Sequence, residues 1–326
     1  MWRRKGMCEE MKVLGLSFGR TMRCSEILVK EALLKAKEAG AEVEFISTLK
    51  MNIQHCTGCG ACSIGRENGK QIKCIIKDDY EILEQAVLDA DAVIVAAPVF
   101  VLGPLGQFKN FVDRFGPAHD RAALNAEQNK RIEADTELLD ERSFKNRYVG
   151  YISVGGASTQ NWVSLGLPTM NLFGISLMMK VVGQIDAYDM GRTANPVLDV
   201  DLMERVGELG RRVTEAIGKP YGEVEWFGEE GTCPVCHNNL ITINKTTTVE
   251  CPICGIKGHL SVAGDKVNIK FSQYEQDRAR STQNGLNEHY AEIDNMKKVC
   301  IPKLIATKDT LPGMLQKYKD FDKLDK

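Results

Sequence analysis

The sequence predicts a doubly wound α/β sandwich, with five parallel strands in the order 2-1-3-4-5, followed by a small four-cysteine ribbon and a helical tail. Three observations carry this. Short apolar, β-rich runs alternate with segments of helical period over the first two thirds of the chain, as in a parallel sheet whose crossovers return through helices. Loops rich in Ser, Gly and Pro recur after the first, third and fourth of those runs. Beyond residue 232 the composition changes to turn residues and β-formers around paired C-x2-C knuckles.

The elements follow in order. "KVLGLS" (12–17) is the first strand, and "SEILVKEALLKAKEAG" (25–40) the helix after it, stopped by Gly40. "AEVEFIS" (41–47) alternates like a strand. After a cysteine loop, "DYEILEQAVLDA" (79–90) reads as helix and "DAVIVAAP" (91–98) as a strand buried on both faces. "LGQFKNFVDRF" (105–115) is helical, "YVGYISVG" (148–155) the fourth strand, and "NWVSLGLPTMNLFG" (161–174) a helix that Pro168 kinks or shortens. "ISLMMKVVG" (175–183) is the fifth strand and 199–218 the closing helix. Residues 116–147 read as a polar, helix-prone, solvated insertion, with a lid or subunit contact near the ligand as the alternative.

This gives a leader over 1–11, a flavodoxin-like domain over 12–220 with a cysteine loop at 54–79, a ribbon over 221–271 and a tail over 272–326. In such a sheet the ligand lies at the carboxyl ends of the strands.

Composition narrows the function. The 326 residues are 43% hydrophobic and 26% charged, with a net charge of −2, which gives no electrostatic reason to expect nucleic acid. No apolar run reaches membrane-spanning length and the amino terminus has no apolar signal core, so a cytoplasmic location is expected. In that compartment eleven cysteines read as metal or redox ligands before they read as disulfides. Eight form two quartets, and Cys8, Cys24 and Cys300 are left over.

The turn "SFGRTMRCSE" (17–26) runs into a helix amino terminus, where free N–H groups favour an anion. Ser17 and Ser25 offer hydroxyls, and Arg20 or Arg23 offers charge. Without a G-x-G-x-x-G, a mononucleotide phosphate fits better than a dinucleotide. Pro98 ends the third strand, Val99 to Gly103 form the loop after it, and Gly155 and Gly156 follow the fourth.

Lys12 to about Gly218 resembles the flavodoxin-like NAD(P)H-dependent FMN reductases, in particular the iron–sulfur flavoproteins. The resemblance rests on the Ser17–Ser25 turn, "CTGCGAC" followed by "CIIKDD", "ADAVIVAAPVF" with "LGQFKNFVDR", and "VGGAS". It implies FMN, with Ser17, Arg20 and Ser25 at the phosphate. Pro98, Val99, Phe100 and Gly103 would lie along one side of the isoalloxazine, with Gly155 and Gly156 at another edge. Phe100 stands where a tyrosine is more usual, which removes a phenol and keeps a stacking face.

Cys56, Cys59 and Cys62 in C-x2-C-x2-C, with Cys74, supply the four thiolates of a [4Fe–4S] cluster. The eleven residues before Cys74 make a longer gap than such relatives usually have, and the alternative is reduced, unliganded thiols. Cys233, Cys236, Cys251 and Cys254, in C-x2-C-x14-C-x2-C, define one tetrahedral site. "CPVC" and "CPICG" resemble zinc ribbons and rubredoxins; zinc is the expected ion and rubredoxin-type iron the alternative.

The expected activity is electron transfer through FMN and a [4Fe–4S] cluster, from ferredoxin or NAD(P)H to an unspecified acceptor, in a dimer or tetramer from an oxygen-poor cytoplasm. The alternative is a redox-sensing module whose ribbon engages protein or nucleic acid.

Overall fold

The computed structural model describes residues 11–319 and 321; the leader assigned to 1–11 lies outside the described residues apart from Met11, as do Cys8 and the last residues of the tail. The sheet domain begins with β1 (Lys12–Ser17), α1 (Cys24–Glu38), β2 (Glu42–Ser47), α2 (Ala61–Glu67), α3 (Tyr80–Asp89) and β3 (Ala92–Phe100). It continues with β4 (Gly103–Pro104), α4 (Gly106–Ala118), α5 (Arg121–Glu133), β5 (Tyr148–Val154), α6 (Gly166–Met170), β6 (Lys180–Ala187) and α7 (Val200–Ala216).

Five parallel strands lie in the order β2-β1-β3-β5-β6. This is the 2-1-3-4-5 order expected of the major strands. The two-residue β4 is additional and pairs antiparallel with the end of β3.

Strand alternation splits the core between the two faces of the sheet. Leu14, Leu16, Val93 and Val95 pack with Phe108, Phe111, Phe115 and Phe173 on one face. Val13, Ala92, Ile94 and Ile152 pack with Leu28, Val29, Leu209 and Val213 on the other. Each fully buried aliphatic or aromatic side chain contributes roughly 1.5–3 kcal/mol relative to exposure.

Three local expectations are corrected. The fifth strand spans Lys180–Ala187 and not 175–183, because 171–178 forms turns that bury Phe173 and Leu177 under the sheet. The expected helix at 161–174 is a single 3-10 turn and the five-residue α6, with Pro168 inside it. The insertion is not wholly solvated: α5 buries Ala122, Ala123 and Leu124, and Arg131 pairs with Glu127 at 3.0 Å.

The ribbon is a four-stranded antiparallel sheet of β7 (Thr242–Ile243), β8 (Thr248–Glu250), β9 (Lys257–Ala263) and β10 (Lys266–Phe271). The tail carries α8 (Gln273–Asp277), α9 (Gln283–Ala306) and α10 (Leu311–Lys319). No described helix is long and apolar enough to cross a membrane.

Candidate active site and metal centres

Parallel strands bring the ends of β1, β3 and β5 to one edge. Ser17 closes β1 fully buried, and its Oγ accepts from the Gly19 N–H at 3.3 Å. Ser25 is buried in the first turn of α1. Arg23 takes the N-cap position with no side-chain cap bond, so the first-turn N–H groups are left for a ligand. A Cβ on Gly19 would fall 2.6 Å from Ser25 Cβ and 2.7 Å from its Oγ, so the cradle closes only around glycine. Arg20 is exposed beside it. The turn therefore fits a phosphate in both shape and donor set.

Pro98 does not end β3, which runs on to Phe100 and turns back into β4 through Val101 and Leu102. Both turn residues have positive φ, 49° and 73°. A β-branched residue in the left-handed region is strained, and such strain tends to be kept at ligand loops. Val101 is 97% exposed and Phe100 64%, so this hairpin presents apolar surface to whatever lies above the sheet edge.

Gly155 and Gly156 do not simply open space for a ligand. A Cβ on Gly155 would meet Val163 at 2.3 Å, and one on Gly156 would touch Gly191 at 3.4 Å. Their smallness lets the 157–163 turn and the loop after β6 close over the strand end; Gly155 N–H donates to Ala187 and its carbonyl accepts from Met190, both at 2.8 Å.

The cysteine loop rises from the same edge and is clamped at its root by α4. Gln107 donates to the carbonyls of Thr48 and Met51 at 2.9 and 3.0 Å, and Asn110 to that of Ile53 at 2.9 Å. Arg114 lies 2.6 Å from Asp78 and 3.3 Å from Cys74 Sγ. Burial opposes ionisation of Asp78, yet Arg114 and the N–H groups of Gln54 and Tyr80 hold its carboxyl below the usual range. Because α4 starts directly after the β3–β4 hairpin, one helix positions both the hairpin and the cysteine loop.

Cys56 and Cys59 are exposed, and Cys62 and Cys74 half-buried. The Cys59 thiol is lowered by the Ala61 N–H and the Thr57 hydroxyl. These sulfurs do not form a compact single-ion group; among the described residues that arrangement occurs at Cys233, Cys236, Cys251 and Cys254, all buried and mutually within 4.8 Å. Cys236 and Cys251 Sγ lie 3.6 Å apart. Tetrahedral metal–sulfur bonds of about 2.3 Å set their ligands about 3.8 Å apart, so the ribbon fits one ion.

The second knuckle turns on Gly255, with φ +71°. The first uses His237 at φ +53°, supported by a stack on Trp226 with centroids 3.7 Å apart. Burial, then Lys180, pushes the His237 ring down to about 4, so it stays neutral. Gln184 on β6 donates to the carbonyls of Cys236 and His237 at 3.3 and 3.2 Å, which fixes the ribbon to the sheet.

Sequence reasoning missed Asp186, Ser153 and Arg114. Ser153 and Asp186 are register partners across β5 and β6, and the Ser153 and Tyr188 hydroxyls partly offset the desolvation of the Asp186 carboxyl. Asp186 lines a cleft of about 350 Å³ beside the ribbon with Gln184, Tyr188, Arg205 and Glu229. Burial, with Glu229 adding like charge, pushes its carboxyl up to about 6. The available signal was a carboxylate near the end of the β-rich run "KVVGQIDA", and an arginine beside Phe111 and Phe115 on the inward face of a helix.

Along one edge of the parallel sheet the structure therefore brings together the Ser17–Ser25 turn, the exposed β3–β4 hairpin and the Gly155–Gly156 turn, with a four-cysteine metal-binding site in the ribbon beyond. The model for "NADPH-dependent FMN reductase" matches residues 11–188, and the chain belongs to that family. It is 27% identical over 296 residues to "Flavone synthase cfoJ" of Aspergillus candidus, covering 87% of this chain and 89% of that protein. It is 33% identical over 221 residues to an "Iron-sulfur flavoprotein" of Methanosarcina thermophila, covering 64% of this chain and 95% of that one. A solved structure described as "flavone reductase" aligns with a TM-score of 0.79 at 27% identity, covering 95% of this chain and 98% of that one.

Proposed function

We propose that this protein is an FMN-dependent reductase of a planar aromatic enone of the flavone type, supplied with electrons by NAD(P)H or ferredoxin. The observation that carries this reading is the extent of the similarity. The likeness to flavone reductase runs through the sheet, ribbon and tail, whereas the iron–sulfur flavoprotein match covers 64% of the chain.

Ser17, Ser25, Arg20 and the first-turn N–H groups of α1 would hold the FMN phosphate. Pro98, Val99, Phe100 and Gly103 would flank one side of the ring, and Gly155 and Gly156 another. When bound, FMN supplies two-electron or one-electron reducing chemistry. The exposed faces of Phe100 and Val101 would exclude water and offer a flat apolar surface to an aromatic acceptor.

Cys56, Cys59, Cys62 and Cys74 would hold a [4Fe–4S] cluster, a reading supported by the iron–sulfur flavoprotein relatives and by Arg114 beside Cys74. Cys233, Cys236, Cys251 and Cys254 would hold structural zinc. The bonds from Gln184 into the first knuckle support a structural ion over a detached binding module. Exposed apolar residues along α9 and α10, among them Val299, Leu304, Ile305 and Tyr318, support a homo-oligomer.

The test is anaerobic purification, quantification of FMN, iron and zinc, and incubation with flavone and either NADH, NADPH or reduced ferredoxin. The expected result is bound FMN, about four irons, one zinc, and loss of flavone with one of the donors. Absence of FMN would sink the flavoprotein reading; reduced, FMN-loaded protein that leaves flavone unchanged would sink the acceptor.

A further inference from the structure

Arg66 lies on α2 one helical turn beyond Cys62, with 5% of its surface exposed. Its Nη1 is buried without a hydrogen-bond partner, and its guanidinium makes no ion pair among the described residues. The other buried arginines all make several side-chain bonds, with only the Nε of Arg114 and of Arg121 left without a partner. Arg114 pairs with Asp78, and Arg131 with Glu127. Arg147 donates to the carbonyls of Val87, Leu88 and Ala90, and Arg121 to those of Phe144 and Lys145. A buried charge without a counter-charge is costly, so an unpaired guanidinium in a recess marks a missing anion.

The recess exists. Arg66 lines a cleft of about 730 Å³ between α2, the α4–α5 corner at Pro117 and Asp120, and α9. The other cations around it are satisfied: Lys297 pairs with Glu67 at 3.0 Å, Arg278 with Glu288, and Arg280 donates to the carbonyls of Pro252 and Ile253. Asp120 caps α5 by accepting from the Ala123 N–H at 2.9 Å. Leu172, Ile175, Leu286 and Ile293 supply apolar wall. A cleft of this size, with an apolar wall and one unpaired cation among its paired charges, suits a small organic anion better than a bare ion.

We propose that this cleft binds an organic carboxylate with an apolar body, its carboxylate received by Arg66. None of the residues lining it belongs to the Ser17–Ser25 turn, the β3–β4 hairpin or the Gly155–Gly156 turn, so it does not depend on the identity of the electron acceptor.

The test uses the full chain saturated with FMN, so that the phosphate cradle is filled, and benzoate and acetate as probes in calorimetric titration and thermal melts. Benzoate is expected to bind and raise the melting temperature, at least about tenfold more tightly than acetate. Arg66→Met is expected to weaken benzoate binding roughly tenfold or more, with Arg66→Lys retaining part of it. Ile293→Trp keeps the charge and fills the cleft, and is expected to abolish binding, which decides the matter if Arg66→Met fails to fold. Absence of benzoate binding, acetate binding as tightly as benzoate, or benzoate binding unaffected by both Arg66→Met and Ile293→Trp would overturn the proposal.

Discussion

Arg114 on α4 and Asp78 at the end of the cysteine loop form an ion pair at 2.6 Å, with both side chains sealed from solvent. The guanidinium lies over the Tyr80 ring, 4.1 Å from its centroid, and reaches Cys74 Sγ at 3.3 Å. One arginine therefore joins helix, loop and thiol.

Asp78→Asn should destabilise the protein by about 3–5 kcal/mol at neutral pH, because it leaves the Arg114 charge buried without its partner. The pH dependence has a definite sign. A carboxyl with a depressed folded pKa contributes stability above its unfolded value of about 3.9, and that contribution is lost as pH falls through the folded value. Urea unfolding of wild type should lose midpoint steeply below about pH 4, and the variant should lose less. Equal acid slopes in the two proteins would contradict the pairing.

Asp186 titrates with the opposite consequence. Its folded pKa of about 6 lies above the unfolded value, so its contribution favours folding at low pH and is lost as pH rises through 6. Ser153 faces it from β5, and Tyr188, Arg205 and Glu229 share its cleft. Asp186→Asn should remove a loss of stability on the order of 1–2 kcal/mol between about pH 5 and pH 8. Thermal melts across that range for both proteins provide the check.

At the phosphate cradle, Gly19→Val should weaken FMN binding by at least about tenfold, because its side chain must displace Ser25. The accompanying overpacking should cost about 1–3 kcal/mol of stability. Fluorescence titration with FMN reads the first effect and denaturant unfolding the second. Unchanged affinity would remove the phosphate from this turn.

The two quartets should separate cleanly. Cys59→Ala should eliminate bound iron and broad brown absorption while much of the FMN remains. Cys251→Ala should eliminate the ribbon's ion and change Trp226 fluorescence, since Trp226 stacks on the knuckle residue His237. Iron that persists in Cys59→Ala would move the cluster elsewhere.

The outcomes divide by the range of the interaction that decides them. Strand order, the ribbon's cysteine quartet and the polar turn from Ser17 to Ser25 were legible because each is written in short spacings: strand period, C-x2-C knuckles, a polar turn before a helix. The fifth strand was misplaced because "ISLMM" is as apolar as a strand; what keeps it in turns is the packing of Phe173 and Leu177 beneath the sheet.

By itself, the sequence determined a parallel sheet with a ligand edge and a four-thiolate ribbon, because local periodicity and ligand spacing survive without knowledge of neighbours. Only the tertiary structure decided that Arg114 would meet Asp78, that half-buried Asp186 would lie beside buried Ser153, and that Arg66 would be buried unpaired. Each of those depends on which distant segment excludes water from a charged group, and that is a property of packing, not of the residues adjacent in the chain.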